Sequence, residues 1–209
     1  MSAQRDAAVS DMTILIATDV FGMTPAVASL VRTLDQHCLV VSPFDDAELS
    51  FQSEQTAYYA FLAQGGVARY ADKLMQHMQQ HGEQLRMAIG FSAGASALWI
   101  ASASEAAAQL QAAILFYGSR IRDHKQIQPC CPVRLIFAQN EAAFDATQLS
   151  AELQQLGHTA ELVREASHGF MNPYSGGFDV KIQARYLDQL ASLAQQHCMA
   201  KPVEELDRA

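Results

Sequence analysis

Residues 85–103 read LRMAIGFSAGASALWIASA, and the character of the chain changes in the middle of them. Leu85–Phe91 is an almost unbroken apolar run, the pattern of a strand covered on both faces. From Ala95 onward the residues are small and helix-compatible. Between these parts stands Gly90-Phe91-Ser92-Ala93-Gly94. A strand that turns directly into a helix leaves little room, so small residues are needed two places before and two places after the turn's centre. The central residue is driven into a strained backbone conformation. Its Oγ projects from the sheet edge, beside a helix N-terminus that favours developing negative charge. Glycine and serine are common, so the five-residue pattern alone carries little weight. In strand–turn–helix context it makes Ser92 a candidate nucleophile; the plain alternative is a glycine-rich turn in which Ser92 only caps the helix.

The same alternation continues in both directions. Further strand candidates are MTILIA from Met12, CLVVSP from Cys38, AAILFYG from Ala112, VRLIFA from Val133 and TAELVRE from Thr159. Helix signals lie between them. Thr24-Pro25 is an N-cap and first helical position opening PAVASLVRTLDQH. Ser53 caps a helix stopped by Gly65 and Gly66, VARYADKLMQHMQQHG ends at Gly82, and TQLSAELQQLG ends at Gly157. FDVKIQARYLDQLASLAQQHC is the last helix. The fold expected is α/β, an open, doubly wound, mostly parallel sheet of about six strands. Residues 12–209 read as one domain, after a flexible N-terminus over 1–11. Such sheets bind ligands beyond their C-terminal strand ends, here the loops Asp19–Met23, Phe91–Gly94, Ala138–Asp145 and Ser167–Ser175.

Of 209 residues half are apolar and 17% are charged, with a net charge of −8. That composition excludes a disordered chain. It speaks against nucleic acid or an anionic membrane as partner, since both are bound by neutralising phosphate. No apolar run reaches bilayer length, and MSAQRDAAVSD carries no signal-peptide core, so a cytoplasmic location is expected. Cys38, Cys130, Cys131 and Cys198 show no paired spacing; Cys130 and Cys131, between Pro129 and Pro132, are expected to pack. His77 and His81 have ligand spacing on a helix but lack the Glu of H-E-x-x-H and a third ligand. They read as a solvated face, with no metal and no cofactor expected. Met75, Met78, Met87 and Trp99 read as core.

A base and an acid follow in chain order. His168, in Ser167-His168-Gly169-Phe170, stands directly after the last expected strand, and imidazole titrates in the range a general base needs. Alone it is an ordinary loop histidine; with Ser92 it becomes a catalytic candidate. The acid is expected after VRLIFA, where QNEAAFD offers Glu141 and Asp145. Glu141 is nearer the strand end. Asp145, two before Thr147, suits a helix cap, and is the alternative acid.

These residues together resemble the dienelactone hydrolase family of α/β-hydrolases. ILIATDVFGMTPAVASLVRTL is similar to the family's first block, GFSAG to its nucleophile elbow, ASHGF to its histidine motif and CPVRLIFAQNE to its strand and acid loop. The family's Gly-x-x-Asp here reads Ala138-Gln139-Asn140-Glu141, which favours Glu141 as the acid. The family's elbow cysteine is Ser92, and an arginine after the histidine, which holds the substrate carboxylate, is Asn172. The resemblance implies an oxyanion hole from the Val20 and Ala93 N–H groups, with Asp19 at the place of a glutamate that touches the resting nucleophile. Asp19, Phe21, Phe91, Phe170 and Asn172 would line the substrate pocket.

No lid-sized insertion separates AAILFYG from VRLIFA, so a minimal, open site is expected, lined by Asp45–Leu62 and Met171–Phe178. The implied function is hydrolysis of small soluble carboxylic esters, lactones or thioesters by a Ser-His-acid triad. The rival is a non-catalytic small-molecule or protein binding module that kept the fold. Ser175-Gly176-Gly177 reads as a loop near the site or a turn before the last helix. Arg69, Arg120 and Arg122 are the cations that could replace the missing arginine.

Overall fold

The computed structural model describes residues 13–46 and 49–198; the N-terminal segment 1–11 lies outside them. Six strands form one sheet: β1 (Thr13–Ala17), β2 (His37–Val41), β3 (Leu85–Phe91), β4 (Ala112–Phe116), β5 (Val133–Asn140) and β6 (Thr159–Ser167). Their order is β2-β1-β3-β4-β5-β6, and every pair is parallel. The chain moves outward from β1 to β2, then returns to β1's other side with β3. The crevice between β1 and β3 is therefore the point at which the winding reverses, where such sheets open for ligands. β2 and β6 are the two edges, and the β5–β6 register shifts between Ala138 and Asn140.

The helices are α1 (Pro25–Leu34), α2 (Glu54–Ala63), α3 (Gly66–His81), α4 (Ala93–Ala101), α5 (Ala146–Gln155) and α6 (Val180–Cys198). Their starts follow side-chain chemistry. Thr24, Ser53 and Asp145 accept from the N–H groups of Val27, Thr56 and Gln148. The last helix begins at Val180 rather than Phe178, because the Asp179 carboxylate accepts from the Lys181 and Ile182 N–H groups at 2.8 and 2.9 Å. Alternation along the strands divides the core in two. Leu15, Ala88, Leu115 and Leu135 pack with residues of α3, α4 and α5 on one face. Ile14, Ile89, Ile114 and Ile136 pack with α1 and α6 on the other. Trp99 is wholly buried and donates from Nε1 to the His124 carbonyl at 2.9 Å, so it belongs to the core. Met78 and Met87 are buried as expected. Cys131 is buried but Cys130 is exposed, correcting the expectation that both pack: only Cys131 meets the core cluster.

Candidate active site

Ser92 has φ 50° and ψ −107°, a conformation L-residues rarely adopt. The glycines around it show why the turn has no alternative. A Cβ on Gly90 would lie 2.7 Å from the Ala95 Cα, and one on Gly94 would lie 2.3 Å from the Ala17 carbonyl oxygen. The strain is held by the β3–α4 packing, which leaves Ser92 partly exposed at the sheet's C-terminal edge.

Register brings the candidate base and acid together. Asn140 on β5 pairs with Ser167 on β6, so the next residues, Glu141 and His168, emerge side by side. His168 Nδ1 lies 3.0 and 2.9 Å from the two Glu141 carboxylate oxygens, and Nε2 lies 2.9 Å from Ser92 Oγ. The Glu141 side chain is only 3% exposed, against 25% for His168, so the carboxylate's main polar partner is the imidazole. Burial alone would lower the His168 pKa. The Glu141 hydrogen bond and charge, helped by the Glu54 and Asp19 carboxylates, outweigh it, and the net direction is up. Asp145, the alternative acid, caps α5 through Oδ1 at 2.9 Å from the Gln148 N–H and is spent there.

Two further groups hold His168. Tyr117, at the end of β4 with φ 42°, sets its ring edge-on to the imidazole, centroids 5.1 Å apart. Ser175 donates its hydroxyl to the His168 carbonyl at 3.2 Å, and a Cβ on Gly177 would lie 2.0 Å from that carbonyl oxygen. The Ser175–Gly177 stretch is thus a clamp on the base. The sequence alone reads this stretch as a loop or a turn, and two adjacent glycines soon after the histidine are its available signal.

The remaining candidates divide. The Ala93 N–H is the first of α4 and has no acceptor within the helix. The Val20 N–H, in the turn after β1, makes no hydrogen bond with the described residues. Both N–H groups lie in the two turns that flank the crevice. Asp19 accepts from the Phe21 N–H at 2.9 Å and from Asn172 Nδ2 at 2.5 Å, and burial pushes its pKa up to about 6 against the lowering effect of both bonds. Phe170 is corrected: it is fully buried, packing on Phe116, Tyr117 and Tyr186 beneath the site, because the turn after β6, with Gly169 at φ 81°, directs it into the core. Phe21 is also buried, with its ring 6.1 Å from that of Tyr174. Arg69 pairs with Asp45, and Arg120 and Arg122 pair with Asp123.

A cavity of about 480 Å³ adjoins this constellation. Phe91, Tyr117, Asp19 and Asn172 border it, and it runs between α1 and α6 under the Met171–Tyr174 segment. The Asp45–Leu62 region, expected to line the site, does not border this cavity, which opens on the α1/α6 face of the sheet; Glu54 within that region nonetheless acts on Asp19 and His168. Sequence reading missed α1 and α6 as walls; their lining residues carry no local signal that separates them from core.

A model of the dienelactone hydrolase family matches residues 3–198. The chain belongs to that family. The uncharacterized protein YczH of Bacillus subtilis (strain 168) is 28% identical over 172 residues, which are 79% of this chain and 84% of that protein. A dienelactone hydrolase-type structure from Klebsiella pneumoniae subsp. pneumoniae MGH 78578 is similar with a TM-score of 0.71 at 18% identity, covering 92% of this chain and 90% of that one. A dienelactone hydrolase-like promiscuous phosphotriesterase from metagenomic libraries is similar with a TM-score of 0.63 at 18% identity, covering 89% and 86%. These likenesses show the α/β-hydrolase fold, and the family makes the chain a hydrolase. Within this dienelactone hydrolase family member, Ser92 stands at the elbow and Asn172 makes the contact to Asp19.

Proposed function

We propose that the chain hydrolyses small carboxylic esters, lactones or thioesters through an acyl-enzyme on Ser92. The observation that carries this reading is the unbroken hydrogen-bond chain from Ser92 Oγ through His168 to Glu141, built on a serine whose backbone is strained. Ser92 Oγ attacks the carbonyl carbon while His168 Nε2 takes its proton. The buried Glu141 carboxylate compensates the imidazolium that forms. The carbonyl oxygen becomes an oxyanion between the Val20 and Ala93 N–H groups; losing one such donor costs roughly 2.7–4 kcal/mol of barrier. His168 then protonates the leaving alcohol or thiol. A water, deprotonated by His168, attacks the acyl carbon and releases the acid. These steps call on no metal or organic cofactor.

The acid loop that departs from the family pattern is what speaks for a non-catalytic binding module. It nonetheless delivers a carboxylate to His168, which supports the enzyme reading. Asn172 offers hydrogen bonds but no positive charge, so uncharged short esters and thioesters are favoured over carboxylate-bearing lactones. Among the described residues no helix is long and apolar enough to cross a membrane, and the reading includes a cytoplasmic enzyme. A fluorophosphonate probe tests the whole: labelling at Ser92, absent in Ser92→Ala and His168→Ala, is expected. A folded wild-type protein that takes no label has no activated serine, and the binding-module reading then stands.

A further inference from the structure

We propose that the cavity between α1 and α6 binds an apolar organic ammonium group, so that the esters best suited to this enzyme carry a positive charge. The proposal rests on the hydrolase reading for its link to substrate, but not for the binding itself. It starts from an imbalance. Asp19 is the one charged residue among those that border the cavity. Both partners of its carboxylate, the Phe21 N–H and the Asn172 amide, are neutral. A carboxylate drawn out of water is costly unless a cation meets it, and among the described residues no lysine or arginine does. The shift of its titration toward neutrality reflects that unmet charge.

The other groups nearby deepen the negative potential. Glu54 at the start of α2 acts on Asp19 and on His168, and Glu141 is buried behind the imidazole. His168, the one titratable base facing Asp19, is neutral in its working state. The cavity's remaining walls are what an alkylated ammonium prefers: the rings of Phe91, Tyr117 and Tyr174, with Leu30 and Leu187. The Tyr117 hydroxyl is buried without a hydrogen-bond partner, and the Met171 N–H faces it without closing an ordinary bond. The volume is within the range of small-molecule sites, so a ring or short chain fits beside the charged head.

The test separates charge from shape. Ser92→Ala protein is titrated calorimetrically with benzyltrimethylammonium and with neopentylbenzene, its uncharged isostere. The cation is expected to bind at least about tenfold more tightly, the scale of one desolvated ion contact. Asp19→Asn is expected to abolish that difference, and Leu187→Trp, which fills the cavity, to abolish binding of both. Should Asp19→Asn fold poorly, Leu187→Trp alone still reads the location. Equal binding of the two probes by the parent protein, or a cation preference that survives Leu187→Trp, overturns the proposal. With wild-type enzyme, acetylthiocholine is expected to exceed 3,3-dimethylbutyl thioacetate in kcat/KM by a similar factor. Binding by the Ser92→Ala protein without turnover of either thioester by the wild type supports the cavity assignment and counts against the acyl-enzyme instead.

Discussion

Ser92 carries two demands that one residue type satisfies only at a cost. The position's φ of 50° suits glycine, while the chemistry needs a hydroxyl. Relieving such strain is worth about 1–3 kcal/mol, partly offset by glycine's freedom in the unfolded chain. Ser92→Gly is therefore expected to be inactive yet about 1 kcal/mol more stable than Ser92→Ala in urea unfolding. A Ser92→Gly protein less stable than Ser92→Ala would mean that the turn is not strained. At His168 the sign of the pH dependence follows from its partners. With neutral imidazole as the proposed base, and Glu141 holding the pKa above its ordinary value against burial, kcat/KM is expected to rise with pH through a midpoint above that ordinary value. Glu141→Gln removes the chief raising influence and leaves burial to act, so the midpoint falls, while kcat drops by up to about 10⁴-fold. Asp145→Ala is expected to lose only a cap, about 0.5–2 kcal/mol of stability, with kcat unchanged. Measured pH–rate profiles of the two variants distinguish the two carboxylates directly.

At the scale of elements, the site is a matter of register and of close approach. Gly177→Ala places a methyl 2.0 Å from the His168 carbonyl oxygen, which must move. Activity is expected to fall at least about tenfold, as a misplacement of about an ångström does, while far-UV circular dichroism stays native. Unchanged activity would dismiss the clamp. The strands, the caps at Thr24, Ser53 and Asp145, and the β3–α4 turn were legible because each depends on residues adjacent in the chain. The pairing of Glu141 with His168 was legible only as a choice between two carboxylates; the Asn140–Ser167 register settles where each emerges. Tyr117 beside the imidazole, the Ser175–Gly177 clamp and the α1/α6 cavity were not legible. They join segments far apart in sequence, and no periodicity within either segment encodes the other. Phe170 was misread for a related reason: a residue next to a catalytic histidine looks like a pocket wall, yet it points into the core.

For the whole molecule, the order of the strands distributes the chemistry unevenly. The proposed nucleophile and oxyanion donors sit after β1 and β3, while the proposed acid follows β5 and the proposed base follows the rim strand β6. A rim strand pairs on one side only. β6 is fastened by its pairing to β5, by Ala160, Val163 and Ala166 in the core, and by the meeting of Glu161 with Arg134 and with the Tyr186 hydroxyl of α6. Rim segments open at lower free energy than central ones. Heating is then expected to silence the enzyme before it melts the protein. Far-UV circular dichroism reports the global transition, since the sole tryptophan, Trp99, sets its ring 5.0 Å from that of His158, directly before β6, and would sense the rim itself. Activity assayed at the raised temperature would fall below the temperature of the circular dichroism transition and return on cooling, and Glu161→Gln would widen the gap. The range of temperature over which the enzyme works would then be set by its rim strand rather than by the sheet as a whole.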